Sequence, residues 1–242
     1  DLAANIVGNE AIPRALRDAD IGAASSYETL NTKAQIGYIL NGFVRVKGLV
    51  SIDLFSATGK HFHVGETLNV SGGHIDAVNR MIQEAAATDK AVVWRGIEDN
   101  INTASTQKKV ITVTRLIRYF SPEAGTTGNV GLLVINLNDD IMREYFSSEN
   151  AQGGLRLMLI DQQGRLMYHP DRSLVGAPMD QELLRRVRDG STTHQLRLDD
   201  QEVILTTRQL QGIGGDLILA TPLALHTAPV NRLASAAALL LL

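Results

Sequence analysis

The second half of this 242-residue chain replays the first. Val50, Ile52 and Leu54 alternate with Ser51 and Asp53, the period-two pattern of a half-buried strand. Ala57-Thr58-Gly59-Lys60 then turns the chain back into His61-Phe62-His63-Val64, which predicts a β-hairpin. Further on, Leu155–Ile160, the turn Asp161-Gln162-Gln163-Gly164 and Arg165–His169 repeat the pattern. Aligning Gly59-Lys60 with Gly164-Arg165 brings Leu54-Phe55 onto Leu159-Ile160, an offset of roughly one hundred residues, the size of a small domain. A helix-period segment follows each hairpin: residues 73–88, with Ile75, Val78, Met81, Ile82 and Ala85 on one face, and Met179–Arg188. Three strands then follow in each half. They are Ala91–Trp94, Lys109–Tyr119 and Val130–Leu137 in the first, and Thr192–Leu198, Glu202–Leu210 and Asp216–Thr221 in the second. A repeat of this kind builds two α+β modules in series.

The first module is preceded by a helical stretch from Leu2 to about Val46, with Ile36, Ile39, Leu40 and Phe43 in helical register. Pro13 sits where a first turn accepts it, and Ser25-Ser26 offers an N-cap to a second stretch. Asn138-Asp139-Asp140 caps a further helix, and the polar run Glu149–Gly154 marks the break between modules. The expected layout is an N-terminal helical segment at 1–47, one module at 48–150, a second at 151–228 and a terminal helix at 229–242. The chain begins at Asp1 without Met or a signal pattern, as an excised piece would. Its last ten residues, Leu233–Leu242, are uncharged, whereas a membrane crossing needs about twenty apolar residues. They are read as the start of a transmembrane helix.

Charge and cysteine content exclude whole classes of function. Lys and Arg total 23 against 26 Asp and Glu, so a binder driven by phosphate neutralisation is not expected. The absence of Cys removes disulfide frameworks, thiolate zinc sites and cysteine nucleophiles. No nucleophile elbow, His-Glu-x-x-His or phosphate loop is present, and Gly212–Asp216 precedes a strand rather than opening a helix. Asp139-Asp140 reads as a cap and Asp199-Asp200 as a hairpin turn, so no catalytic residue is assigned. His169-Pro170-Asp171 reads as a turn whose Asp accepts backbone N–H bonds. His61 and His63 share one side of a strand, with His74 near in sequence. Imidazoles so placed can ligate a divalent metal, but no Cys or carboxylate cluster accompanies them, and no metal or cofactor is expected.

The Leu54–Val64 hairpin, the Leu133-Val134-Ile135-Asn136-Leu137 strand before a helix, and Ile160–Arg165 leading to His169-Pro170-Asp171-Arg172-Ser173-Leu174-Val175-Gly176 carry a resemblance. In these, the chain resembles the double Cache family, the PAS-like extracytoplasmic sensors of bacterial histidine kinases, diguanylate cyclases and chemoreceptors. The resemblance implies an α+β fold in which a long N-terminal helix leads into two tandem PAS-like modules. The membrane-distal module would hold a small ligand, and the proximal one would relay the signal to a C-terminal transmembrane helix. It also implies a periplasmic location on the inner membrane and a sensor rather than an enzyme. Homodimer formation would aid such a relay.

For the site, a pocket is expected between the first sheet and the 73–95 region, formed by Trp94, Arg95, Thr112, Thr114 and Asn136. The guanidinium fork of Arg95 suits a carboxylate or phosphate, the two Thr share a strand face, and Asn136 offers a donor and an acceptor. In amino-acid-binding members of the family an Arg and an aromatic pair grip the carboxylate, and a closing-strand Asp grips the amine. Here no second aromatic follows Trp94, and Asn136 stands at the Asp position, which favours a carboxylate-bearing or neutral polar ligand. The rival reading is a ligand-free structural or dimerisation module.

Overall fold

The computed structural model describes residues 2–21, 26–68, 74–150, 155–198 and 200–223. Three helices open the chain: α1 (Leu2–Val7), α2 (Ala11–Ile21) and α3 (Ser26–Asn41). The single long N-terminal helix expected from the sequence is therefore not formed. Gly8 and Asn9 end the first helical run, and Asn9 Oδ1 accepts the Ala11 N–H at 3.1 Å, starting a new helix. Pro13 is accommodated because the N–H it lacks would have no partner in the first turn. In α2, Ile12, Ala15, Leu16 and Ala19 are buried on one face at three- and four-residue spacing. Ile12 and Leu16 are fully buried, each contributing about 1.5–3 kcal/mol.

The first unit comprises residues 1–93 and 99–138. Its strands are β1 (Leu49–Ser56), β2 (His61–Gly65), β4 (Lys109–Ser121) and β5 (Thr126–Leu137), with α4 (His74–Ala86) between β2 and β3 (Val93–Asp99). The five antiparallel strands run β2-β1-β5-β4-β3. Helix α2 packs on β1, β4 and β5. On the opposite face, Val78, Met81 and Ala85 of α4 pack with Phe55, Leu132 and Val134. Helices thus cover both faces, which is why β1, read as half-buried, is buried along nearly its whole length.

The second unit comprises residues 94–98 and 139–242. It contains α5 (Asp140–Asn150), β6 (Arg156–Ile160), β7 (Leu166–Tyr168), α6 (Gln181–Val187), β8 (Thr193–Leu198), β9 (Gln201–Leu210) and β10 (Gly215–Pro222). The strands run β7-β6-β10-β9-β8, the same order as in the first unit. Asp180 caps α6 by accepting the Glu182 and Leu183 N–H groups, both at 3.0 Å. Asp180→Ala is expected to cost about 1 kcal/mol in chemical denaturation, with no change of fold by circular dichroism.

One backbone detail recurs. A Cβ on Gly131 of β5 would overlap the Phe55 carbonyl oxygen, and a Cβ on Gly215 of β10 would overlap that of Ile160. Phe55 and Ile160 are the residues that the sequence repeat aligns, so each sheet has glycine at the same close approach of its central strands.

No helix among the described residues is long and apolar enough to cross a membrane. The expected terminal helix at 229–242, residues 151–154 of the expected break and Asp199 lie outside the described residues. Asp171 accepts the Ser173 N–H at 2.9 Å, as its turn reading implied.

Candidate functional site

The α4-facing side of the first sheet is apolar at one end and polar at the other. Cross-strand pairing sets Ser51 opposite Asn136, Asn136 opposite Thr112 and Asp53 opposite His63, so these side chains share one face with Phe55, Leu132 and Val134. Thr112 Oγ1 donates to Asn136 Oδ1 at 3.1 Å, and Asn136 Nδ2 donates to Ser51 Oγ at 2.9 Å. Ser51 Oγ donates in turn to Asp53 Oδ2 at 2.7 Å. The row ends at two histidines: His63 Nδ1 lies 2.7 Å and His61 Nε2 2.8 Å from Asp53 Oδ1. The rings of His61 and Phe55 stack with centroids 4.3 Å apart.

Asp53 is almost fully enclosed, with a side chain 1 % exposed. Burial pushes its carboxyl up, but hydrogen bonds from His61 and His63 outweigh this and hold it below the ordinary carboxylate range. For His63, burial favours the neutral ring, yet the bond to Asp53 and its charge win and raise the imidazole. His63 Nε2 lies 2.7 Å from the Glu66 carbonyl oxygen, which only accepts, so Nε2 carries a proton. Glu66 is itself held by the Thr106 N–H at 3.1 Å and Thr106 Oγ1 at 2.9 Å.

Thr114 stands on the same face, one strand pair beyond Thr112. It is 1 % exposed, and its Oγ1 has no hydrogen-bond partner among the described residues. A buried hydroxyl without a partner costs about 1–3 kcal/mol.

Of the five expected pocket residues, the structure brings Thr112, Thr114 and Asn136 onto one buried face. Trp94 and Arg95 fall in the 94–98 segment of the second unit, where the Ile97 N–H donates to Asp161 Oδ2 at 3.2 Å. As neighbours on β3 they point to opposite faces. The Arg95 guanidinium is closed on Glu98, with Nε to Oε2 and Nη2 to Oε1 both 3.0 Å. Sequence reasoning missed Ser51 and Asp53 because it read their alternation as a solvent face. It also found no carboxylate beside His61 and His63, whereas Asp53 joins them in a cluster whose ligand atoms lie within 4.8 Å of one another. The His74 side chain lies outside the described residues.

The second unit treats the equivalent face differently. Arg156, Leu205 and Ala220 pair across its strands as Ser51, Thr112 and Asn136 do in the first, and Met158 takes the place of Asp53. Met158, Leu205 and Ala220 belong to a closed apolar cluster with Ile160, Leu166, Val203 and Ile218. The counterpart of Thr114 is Thr207, whose hydroxyl donates to the Ser191 carbonyl at 3.2 Å.

No protein-family model matches the chain, and no curated protein matches it either. Among solved structures, the ligand-binding domain of the Pseudomonas fluorescens chemoreceptor CtaA, in complex with L-leucine, superposes with a TM-score of 0.58. The alignment covers 92 % of this chain and 91 % of that one at 14 % identity. The chain shares the fold of that ligand-binding domain. The Campylobacter jejuni Tlp3 ligand-binding domain with L-norvaline is also similar, with a TM-score of 0.56, 14 % identity and 95 % and 90 % of the two chains covered. The extracellular domain of the putative histidine kinase vpHK1S-Z8 gives 0.54 at 13 % identity, over 91 % and 85 %. At these identities the likeness is one of fold.

Proposed function

We propose that this chain is the extracytoplasmic ligand-sensing part of a bacterial transmembrane receptor, and that its first unit holds a small polar molecule on the α4-facing side of the sheet. The observation that carries this reading is the contrast between the two equivalent faces. One is sealed by Met158, Leu205, Ile218 and Ala220, while the other buries Thr112, Asn136 and the unpartnered Thr114 hydroxyl. An unpaired buried hydroxyl is costly unless something bonds it, and a ligand on this face supplies the partner. The structural neighbours bind L-leucine and L-norvaline, so amino acids and related carboxylates are the first compounds to test. With Asn rather than a carboxylate at 136, that position offers an amide and favours a neutral polar or carboxylate-bearing ligand over an ammonium group.

Thr114→Val tests the site from two sides. It is expected to stabilise the ligand-free protein by about 1 kcal/mol, because the unpaired hydroxyl is lost at constant volume. In a thermal-shift screen of amino acids, carboxylates and sugars, a ligand of the wild type should raise the melting temperature less in this variant. A variant that gains no stability and responds to ligand as the wild type does would remove Thr114 from the site. Relay of binding to a following transmembrane helix is part of the same proposal, and requires only a ligand that prefers one of two arrangements of the chain.

A second reading, a dimerisation module, is favoured by α3. Ile36 and Leu40 are buried on its inner face, while Tyr27, Leu30 and Tyr38, at 77 %, 65 % and 85 % exposure, line the outer one. Sedimentation equilibrium of the wild type against Tyr38→Lys decides whether this stripe joins two copies.

A further inference from the structure

We infer that Asp53, His61 and His63 form a binding site for a divalent transition-metal cation of the zinc class, independent of any organic ligand held elsewhere on the sheet. The three donor atoms, Asp53 Oδ1, His61 Nε2 and His63 Nδ1, converge within 4.8 Å of one another. Tetrahedral zinc, with bonds of about 2.0–2.1 Å, sets its donors about 3.3 Å apart. The two nitrogens lie 2.8 and 2.7 Å from the carboxylate oxygen, so admitting a cation opens each contact by about half an ångström, within the reach of side-chain rotation.

The surroundings are those of a ligand set. A metal-bound histidine donates its second ring N–H to a fixed acceptor, and His63 Nε2 does so to the Glu66 carbonyl at 2.7 Å. A metal-bound carboxylate is oriented through its free oxygen, and Asp53 Oδ2 accepts from Ser51 Oγ at 2.7 Å. The side chains of His61 and His63 are 14 % and 11 % exposed, so a cation has a route in while the Asp53 charge stays sheltered. Two imidazoles and one carboxylate select zinc, nickel, cobalt or copper over magnesium and calcium, which take oxygen ligands. Three protein ligands leave a fourth position for water or an exogenous donor.

The test is titration of the full chain, stripped with chelator, with zinc chloride by calorimetry, and with cobalt(II) by visible absorption. Binding of one zinc per chain and the intense visible bands of four-coordinate cobalt are expected. His63→Gln should weaken zinc binding by at least about 100-fold, and Ser51→Ala, which removes the bond that orients the carboxylate, by about 10-fold. His61→Gln is the mildest ligand change, and circular dichroism checks that each variant is folded. A wild type that binds no zinc stoichiometrically overturns the inference whatever the variants do. So does binding that survives His61→Gln and His63→Gln unchanged, which would place the metal elsewhere.

Discussion

Asp53→Ala is expected to destabilise the first unit by about 3 kcal/mol, measured by urea denaturation in the presence of chelator. The carboxylate accepts from Ser51, His61 and His63, and removing it leaves a hydroxyl and two partly buried imidazoles without their acceptor. The expected value lies at the low end of the range for breaking a buried pair, because His63 can shed its proton once the carboxylate is gone. The effect should depend on pH. The folded value of His63 is raised, so its share of the pair's stability is complete below the ordinary histidine range and fades as pH rises through the folded value. The folded value of Asp53 is lowered, so its share is complete above the ordinary carboxyl range and is lost in acid. The gap between wild type and Asp53→Ala is therefore widest in mildly acidic buffer, between those two ranges. A gap below 1 kcal/mol throughout would mean that the pair contributes little to the fold.

Gly131→Val is expected to cost about 3 kcal/mol, and Gly215→Val a similar amount in the second unit, in the same denaturation experiment. Valine prefers strands by about 1 kcal/mol over poor strand formers, so propensity alone predicts a gain. Sterics decide otherwise: the added Cβ meets the carbonyl oxygens of Phe55 and Ile160, which are backbone atoms of neighbouring central strands and cannot rotate away. At Gly131 it also lies 3.1 Å from Leu16 Cδ1. If either valine variant is as stable as the wild type, the strands are further apart than described.

Most of the strand framework was legible because β-branched residues alternate along it and turn residues punctuate it. The runs around Val110–Ile117 and Leu133–Leu137 needed no tertiary information. Burial of the polar row was not legible, because the period of two says only that Ser51 and Asp53 share a face. That α4 covers this face is a tertiary fact. The Asp53–His63 pair was within reach: a hairpin turning at Ala57–Lys60 sets Phe55 opposite His61, and hence Asp53 opposite His63. The N-terminal helix was read too long because Gly8 and Asn9 were passed over as breakers. Trp94 and Arg95 were chosen for family likeness and, at Arg95, for the fit of a guanidinium fork to a carboxylate, neither of which foretells the bidentate hold that Glu98 keeps on Arg95.

The glycines at 131 and 215 separate what holds each sheet from what each sheet displays on its face. The close main-chain approach of the strands falls at a residue with no side chain, and in the first sheet the missing Cβ would point toward Leu16 of α2, away from the polar row. The residues of the row are then free to vary. Ser51, Asp53, Thr112 and Asn136 in one unit, and Arg156, Met158, Leu205 and Ala220 in the other, are two inscriptions on one chassis. A fold built this way can trade a polar face for an apolar one through a handful of point changes and keep its architecture throughout.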